Sequence, residues 1–384
     1  MSGNGTPIAV FDIASASVGG LLFRVKKDCG VEILTSVRLP VNFSKDEKRT
    51  RLWQNLKDGV KAVSEQLKKS PFPKPEAALC VFSSPWYAGQ TKIIKVKREI
   101  PFKIDEKLLE SLTKDEMGIF EKSWADTKDG NAQFLEHTPT KAVLNGYDIK
   151  DIFGKTAKAA ELHLYLSIIP GELENKIKKE ILNDLKPDSI KLHSFAFAFF
   201  KVMENLIDME KGAMFVDITG DITDVIVFRE HSIEEICSFP KGEKFFARRI
   251  ASALNLDETD ASNRLIQYQR GELDQYYGQK IKLVLESAAE EWGKSMESLF
   301  EEMSKDRLLP QNLYFCGQAV SFPEITAQFS KRNFARFTNL GMPFETQYLL
   351  PESLKYHFDF PQGFSGNKDI FLLLEALFAS TFVF

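Results

Sequence analysis

Two short stretches of the sequence indicate the fold: FDIASASVGGLLFR at residues 11–24 and VDITGDITDVIVFR at residues 216–229. When Asp12 is aligned with Asp217, both stretches carry Asp-Ile, then a run of small or polar residues, then Phe-Arg at the same distance. An apolar run flanks the small residues on each side, which predicts a strand, a tight bend and a return strand. The same hairpin unit is therefore expected twice in one chain.

The segments that follow each predicted hairpin are also alike. After the first, residues 31–39 predict a third strand, and apolar residues at helical spacing from Leu52 to Leu67 predict a helix. After the second, SIEEICSF predicts a third strand and residues 243–254 predict a helix. Because this repeat is far longer than a solenoid unit, we expect a duplicated α/β domain whose halves face each other across a cleft.

Composition excludes several classes of protein. The 384 residues are enough for two domains, and 43% hydrophobic with 27% charged residues is typical of a soluble globular chain. A net charge of −4, with no basic stripe carrying interleaved aromatics, argues against a nucleic-acid partner. The four cysteines lie far apart and form no zinc-type spacing. The N-terminal residues lack the pattern of a secretory signal, so we expect a cytoplasmic protein.

The two bends have the chemistry of a phosphate clamp. Small residues let backbone N–H groups approach an oxyanion closely, and an aspartate at a strand end can hold Mg²⁺, usually through water. Two such bends could grip a polyphosphate from both sides. A later glycine turn, CGQA at residues 316–319, could contact the nucleoside. No Walker-type GxxxxGK[ST] loop occurs in the chain.

In this order, the motifs resemble the actin, sugar-kinase and heat-shock-chaperone superfamily, and within it most closely the bacterial FtsA and PilM proteins. DIASASV at 12–18 resembles the first phosphate motif and DITGDITD at 217–224 the second. FPKGEKFFARRIASAL at 239–254 is similar to the turn and helix that follow, and YFCGQAVSFPEI at 314–325 to the adenosine motif. The resemblance implies two actin-like, ribonuclease H-like domains around a nucleotide cleft, with an inserted FtsA/PilM-type subdomain.

The resemblance also implies a ligand set. ATP and Mg²⁺ would be the cofactors, with Asp12 and Asp217 holding the metal. The implied nucleotide-contact positions are Asp12, Ala14, Ser15, Ser17, Asp217, Thr219, Gly220, Asp221, Thr223, Gly242, Glu243, Arg264, Gln267, Gly317, Gln318 and Ala319.

Several of these positions depart from the family pattern. Ala14, Thr219 and Asp221 stand where the family has glycine, and a side chain at such a position obstructs the backbone's approach to a phosphate. Asp221 would also place a negative charge near the phosphates. Arg264 replaces the glutamate expected at the ribose, and Gln267 replaces the lysine expected at the adenine. We therefore expect weakened nucleotide binding, or none.

Changes in polarity and in hydrophobic pattern along the sequence predict four structural regions. Residues 84–160 are more polar and less regular than their surroundings, as an inserted subdomain would be, and residues 255–310 are mainly helical. The expected regions are a first actin-like subdomain at 1–83 and 161–207 with a C-terminal helix at 368–384, the insertion at 84–160, a second actin-like subdomain at 208–254 and 311–367, and a small helical subdomain at 255–310.

The resemblance implies a scaffold at the inner face of the cell membrane. FtsA-like proteins bind the tail of the tubulin-like division protein, whereas PilM-like proteins bind a cytoplasmic segment of a pilus inner-membrane protein. The division and pilus roles both remain open, as does self-polymerisation into filaments. A scaffold that recognises peptides without nucleotide, and a kinase or weak ATPase of the superfamily, are the alternatives. No catalytic residue is predicted, because no separate aspartate has a recognisable setting beside a substrate hydroxyl.

The last apolar segment, IFLLLEALFASTFVF at 370–384, has one charged residue and is shorter than the roughly 20 residues of a membrane-spanning helix. We expect it to form a buried helix of the fold, with a membrane-contacting tail as the alternative. FtsA-like chains usually continue beyond this point to an amphipathic helix, so this end favours a PilM-like protein or an FtsA-like protein that has been shortened. The GYDIKD pattern of the insertion, at 146–151, is in turn more similar to FtsA.

Overall fold

A computed structural model gives the architecture of the chain. It describes residues 5–26, 30–41, 49–125, 131–149, 152–317, 322–364 and 366–384. The chain divides into two compact units. The first contains Met1–Glu210, Phe228–Glu234 and Pro351–Phe384, and the second contains Lys211–Val227 and Glu235–Leu350.

The first unit is built on a six-stranded sheet. In spatial order its strands are β15 (Phe358–Asp359), β3 (Val31–Pro40), β2 (Ser17–Val25), β1 (Ile8–Ile13), β4 (Ala77–Phe82) and β9 (Ser189–Ser194). Strand β1 pairs antiparallel with β2 and parallel with β4. All the residues of β1 and β4 are buried, as expected for central strands covered on both faces.

Helices cover both faces of this sheet. Two neighbouring glycines of β2 show the two layers, because successive residues of a strand point to opposite faces. A Cβ placed on Gly19 would meet Leu372, whereas one placed on Gly20 would meet Val63 and Leu67. The helices of this unit outside the insertion are α1 (Arg49–Lys68), α3 (Gly171–Asp184), α4 (Phe195–Met203) and α9 (Ile370–Phe378), which continues as a π-helical turn over Ala379–Val383.

The phenylalanine-rich helix α4 packs against the C-terminal helix α9. Phe195 lies 5.7 Å from Phe371 and Phe197 lies 6.1 Å from Phe378, measured between ring centroids. Most residues of α9 are buried, as predicted for a helix of the fold. Among the described residues, no helix has both the length and the apolar composition needed to cross a membrane.

The insertion forms a separate antiparallel sheet. Its strands, in spatial order, are β5 (Ala88–Lys103), β8 (Thr156–Pro170), β6 (Ala132–Leu144) and β7 (Tyr147–Asp148), and its helix is α2 (Glu106–Ala125). The boundary expected between residues 160 and 161 needs correction, because β8 passes through it without interruption. Residues 164–170 are all buried, and they lie in the inserted sheet, where β8 pairs with β5 and β6, and not in the six-stranded sheet.

A buried carboxylate joins the inserted sheet to β9. Glu136 of β6 accepts hydrogen bonds from the backbone N–H of Ser194 at 2.9 Å and from its hydroxyl at 2.8 Å. Ser167 of β8 and His193 of β9 contact the same carboxylate. Each carboxylate oxygen therefore has a partner, which satisfies this charge inside the protein.

The second unit is built on a five-stranded sheet with helices around it. A core centred on the fully buried Trp292 includes Ile281, Leu285 and Met296, the helical face predicted from the sequence. The strands, in spatial order, are β12 (Ser232–Phe239), β11 (Ile222–Arg229), β10 (Ala213–Thr219), β13 (Asn312–Cys316) and β14 (Glu345–Tyr348). The adjoining ends of β11 and β12, within Phe228–Glu234, are counted in the first unit. The helices are α5 (Glu243–Leu254), α6 (Glu258–Gln269), α7 (Gln275–Met303) and α8 (Pro323–Lys331), with short 3₁₀ turns at Phe334–Phe337 and Asn339–Gly341.

The end of the chain differs from the expected division. Residues 351–367 were expected in the second actin-like subdomain, but Pro351–Phe384 belongs to the first unit. The reason is the short strand β15, which pairs parallel with the start of β3 through Phe358 and Asp359. The chain therefore contributes β15 to the first sheet before it enters α9.

Candidate functional site

The loop of the first hairpin is closed by hydrogen bonds within its own unit. The backbone N–H of Ala14 donates to the carbonyl of Ser17 at 3.0 Å, and the indole N–H of Trp86 donates to the carbonyl of Ala14 at 2.9 Å. Val41 donates its N–H to the carbonyl of Ala16 at 2.8 Å. The Ala14 amide, a candidate phosphate donor, is therefore used to form the turn.

Asp12, the predicted metal ligand, forms an ion pair with Arg38. The guanidinium Nη2 of Arg38 lies 2.6 Å from Oδ2 of Asp12. The same guanidinium donates through Nε to Oδ2 of Asp369 at 2.5 Å and through Nη1 to the hydroxyl of Ser17 at 3.0 Å. Asp369 in turn caps α9 by accepting hydrogen bonds from the N–H groups of Phe371 and Leu372. One arginine thus connects the first hairpin to the C-terminal helix.

The charges around this arginine are strongly coupled. Burial raises the pKa of Asp12, and the guanidinium of Arg38 opposes that rise. Burial also opposes ionisation of Asp369, but Arg38 and the two N–H groups at the start of α9 hold its pKa below the usual range. Glu375, on the same helix, is 1% exposed, and burial followed by repulsion from Asp12 raises its pKa well above normal.

These contacts test whether magnesium fits beside Asp12. The carboxylate of Asp12, the predicted metal ligand, and the hydroxyl of Ser17, a predicted nucleotide contact, both bind the guanidinium of Arg38 already. A divalent cation at Asp12 would lie within a few ångströms of that positive charge. At 4 Å, with an effective dielectric constant of about 20, the repulsion is about 4 kcal/mol per unit of charge, and twice that for Mg²⁺. The residues of the first hairpin therefore do not fit a bound magnesium ion.

The second hairpin turns differently. Gly220 has φ of +54°, the left-handed conformation that the first residue of a type II′ turn requires. Its neighbour Asp221 forms a 2.6 Å ion pair with Arg248 of α5. The carbonyl of Gly220 also accepts a hydrogen bond from the N–H of Lys244 at 2.8 Å. The turn is thus held against the first residues of α5, and the charge of Asp221 is directed to Arg248.

Gly242 is packed tightly against the same turn. A Cβ built on Gly242 would lie 2.5 Å from the N atom of Ile222 and from the carbonyl oxygen of Thr219, and 2.6 Å from that of Gly220. All three are backbone atoms, which cannot rotate away. Only glycine can therefore occupy position 242 in this arrangement. Burial raises the pKa of the next residue, Glu243, with Lys244 opposing the rise.

Asp217, Thr219 and Gly317 come together at one edge of the five-stranded sheet. Asp217 of β10 is the parallel partner of Cys316 at the end of β13. Gly317 follows with φ of +87°, and a Cβ there would lie 2.7 Å from Cγ2 of Thr219 and 3.2 Å from Oδ1 of Asp217. The carboxyl ends of parallel strands are the usual position of ligand sites in α/β folds. Gln318 and Ala319, predicted to continue this turn, lie outside the described residues.

Three further predicted contacts, Thr223, Arg264 and Gln267, form hydrogen bonds inside the second unit. Thr223 is fully buried, donates its hydroxyl proton to the carbonyl of Lys241 at 2.8 Å and accepts from the indole N–H of Trp292 at 3.0 Å. Arg264 donates to the side-chain oxygen of Gln267 at 3.1 Å, and its guanidinium lies 5.4 Å from the ring centroid of Tyr277. These side chains thus join parts of the same unit.

Four residues that set the ion pairs and charges around Asp12 and Asp221 were not predicted from the sequence: Arg38, Asp369, Arg248 and Glu375. Arg38 and Asp369 are separated by 331 positions, so no local motif could connect them. Aspartate before an apolar helix is a recognisable N-cap signal, and Asp369 could have been identified in that role. Its second role, as a partner of Arg38, depends on the tertiary fold.

Neither of two cavities in the described part of the chain includes a predicted nucleotide contact. One of about 410 Å³ lies in the first unit at the start of α3, beside Asn131 and Lys176. The other, of about 490 Å³, lies in the second unit between α8 and β14, beside Phe329 and Tyr348. No group of three or more His, Cys, Asp or Glu side chains in the described residues is arranged to hold a metal ion.

Comparisons with known proteins address the fold. The sequence matches no protein family and no curated protein. Among solved structures, the chain is similar to one from the PilM-PilN type IV pilus biogenesis complex, with 14% identity, a TM-score of 0.61 and 97% of each chain covered. It is also similar to the ethanolamine utilization protein EutJ from Carboxydothermus hydrogenoformans, with 11% identity, a TM-score of 0.47, and 96% of this chain and 89% of that chain covered.

The likeness to the pilus protein extends over the full length of both chains, so it includes the inserted sheet as well as the two halves. At 14% identity it identifies a fold and not a shared activity. The α/β fold predicted from the duplicated hairpins is confirmed. The chain has the actin-like ATPase fold, in a form similar to that of the PilM protein.

Proposed function

We propose that this protein is a scaffold that binds a membrane-protein partner in a type IV pilus or related assembly, at the inner face of the cell membrane. The observation that carries the proposal is the full-length likeness to a chain of the PilM-PilN complex. By analogy, the partner would be a PilN-type protein that presents a cytoplasmic segment to this chain. This assignment rests on fold-level analogy, because no residue pattern in this chain identifies the partner directly.

The site chemistry favours a scaffold over an enzyme of the superfamily. Phosphoryl transfer depends on cations that neutralise the developing charge on the phosphates. In this chain the carboxylate of Asp12 is bound to Arg38, and Asp221 is bound to Arg248. Nucleotide binding near Asp217, Thr219 and Gly317 stays a prediction, as does filament formation. The proposed activity, partner binding, requires neither.

The proposal is tested by reconstitution with a defined partner. The full chain is mixed with liposomes that carry a PilN-type protein from a genome that also encodes this chain, and the liposomes are then floated on a density gradient. We expect the chain to float only when the partner is present. Two kinds of liposome are the controls: liposomes without protein, and liposomes whose partner keeps its membrane span but lacks its cytoplasmic segment. Flotation on empty liposomes, or no flotation with the partner, would refute the proposal.

The division role is the alternative, and a peptide titration tests it. The tail peptide of a tubulin-like division protein is titrated against the full chain, with a scrambled peptide as the control. Saturable binding of the tail, without binding of the PilN-type partner, would replace the pilus role by the division role. Steady turnover of ATP by the purified chain would favour the enzyme class instead.

A further inference from the structure

The contacts of Arg38 resemble those that a metal ion would make in a hairpin of this kind. Its guanidinium bridges two carboxylates, Asp12 and Asp369, and also contacts the hydroxyl of Ser17. The carboxylates come from the first and the last parts of the unit, and both side chains are largely buried, with 3% and 13% of their surfaces exposed. Without a cation between them, these two negative charges would repel each other inside the protein.

We propose that Arg38 is the permanent cation of the first hairpin, in the position where the resemblance implied Mg²⁺. The guanidinium supplies the positive charge that Asp12 requires, and it ties the hairpin loop to α9 through Asp369. The hairpin is then complete without a metal, and neither its structure nor any ligand binding beside it depends on divalent cations. This inference concerns Arg38 itself and holds whether or not the proposed partner is correct.

Gly19 in β2 leaves space for the guanidinium of Arg38. A Cβ on Gly19 would lie 3.0 Å from Nη2 of Arg38 and 3.1 Å from its Cζ atom. These distances are shorter than ordinary van der Waals contact, so a side chain at position 19 would displace the arginine or the strand. Gly19 is also the cross-strand partner of both Asp12 and Arg38. The smallest residue thus stands where the guanidinium passes over the strand.

A matched exposed pair provides the control. Arg248 and the turn residue Asp221 form an ion pair in the second hairpin, but their side chains are 28% and 32% exposed, and the contact joins one guanidinium to one carboxylate. Removing Arg248 would leave a carboxylate that water can reach. Removing Arg38 would leave two buried carboxylates that face each other, a geometry that favours a hard cation with oxygen ligands. The two arginines should therefore respond differently to metal.

The experiment measures metal binding to the full chain with Mn²⁺ as a paramagnetic probe for Mg²⁺, together with thermal unfolding at 0 and 10 mM MgCl₂. At Asp12 the wild-type protein should bind no Mn²⁺, so the Asp12→Asn substitution should change neither its Mn²⁺ binding nor the effect of magnesium on its Tm. The Arg38→Gln variant should bind Mn²⁺, and 10 mM MgCl₂ should raise its Tm by about 2 °C, the shift expected for millimolar affinity in a chain of this size. The Arg248→Gln variant should show neither effect.

Three outcomes would overturn the inference. The first is a magnesium-dependent rise in the Tm of the wild-type protein that Asp12→Asn abolishes. The second is a folded Arg38→Gln variant that gains no metal binding, which would reduce Arg38 to an ordinary buried ion pair. If that variant does not fold, Arg38→Lys keeps a single positive charge and should still exclude Mn²⁺. Mn²⁺ binding by the lysine variant is therefore the third.

Discussion

The two hairpins begin from the same sequence pattern and are stabilised in different ways. In the first, the aspartate at the end of the strand is buried and bound to Arg38, whose second carboxylate partner comes from the far end of the chain. In the second, the ion pair involves the turn residue Asp221, and Arg248 follows it on the next helix. A duplicated motif thus preserves the order of strand, bend and return strand without preserving the turn or the charge arrangement.

The largest effect should come from breaking the long-range pair of the first hairpin. Asp369→Ala removes one of the two carboxylates of Arg38 and the N-cap of α9 at once. Losing a partner of a buried ion pair and a helix cap should lower the free energy of unfolding by about 3 kcal/mol. Asp221→Ala removes the exposed pair of the second hairpin and should cost less than about 1 kcal/mol. Urea denaturation of both variants measures the difference, and equal losses would contradict the comparison.

A somewhat smaller effect should follow from filling the space against the second turn. Gly242→Ala places a methyl group within 2.6 Å of three backbone atoms, so the turn or the start of α5 must move. Overpacking of this kind should cost about 2 kcal/mol in the free energy of unfolding. Gly278, in α7, is the matched control, because a Cβ there meets nothing within 4 Å. Gly278→Ala should be stabilising, since alanine is the better helix former by about 1 kcal/mol.

The two glycine variants are expected to change the free energy of unfolding in opposite directions, so one comparison distinguishes them. Thermal unfolding of the two proteins under one set of conditions is sufficient. If Gly242→Ala is as stable as the wild-type protein, the close packing of residue 242 against the turn is wrong. A loss of stability in Gly278→Ala would show instead that glycine substitutions perturb this chain nonspecifically.

The same comparison shows what the sequence could reveal. The strands around Asp12 and Asp217 were predictable because an apolar run, a bend of small residues and a return strand are local patterns. The apolar face of α7 was predictable because its residues recur at helical spacing. Both signals report the burial of neighbouring residues along one element, and so they identified the fold correctly.

The partners of the candidate site residues were not predictable in the same way. Arg38 lies in β3 and looks like an ordinary polar residue near the end of a strand, while its partner Asp369 is 331 positions away. The boundary at residue 160 failed for a related reason. A run of buried residues such as 164–170 has the same pattern in a central parallel strand and in the middle strand of an antiparallel insertion. Distinguishing these cases requires knowledge of which strands are neighbours.

The last effect concerns Glu375, and its size depends on pH. The carboxyl group is buried among Asp12, Arg38 and Asp369, and neither of its oxygens has a hydrogen-bond partner in the described residues. Because its pKa is raised in the folded state, folding takes up a proton once the pH exceeds the unfolded value of about 4.3. The stability contributed by this group is therefore greatest at low pH and decreases as the pH rises towards the raised pKa.

Glu375→Gln replaces the carboxyl group by a neutral amide of nearly the same shape. The variant should be more stable than the wild-type protein at pH 8, and the advantage should shrink as the pH falls towards 4.5. Urea denaturation at several pH values measures this trend, and Glu301→Gln on the exposed surface of α7 controls for the loss of one negative charge. An advantage that grows at low pH would show that Glu375 is ionised in the folded protein. Glu375 would then be a third negative charge beside Asp12 and Asp369, with Arg38 as their shared positive charge.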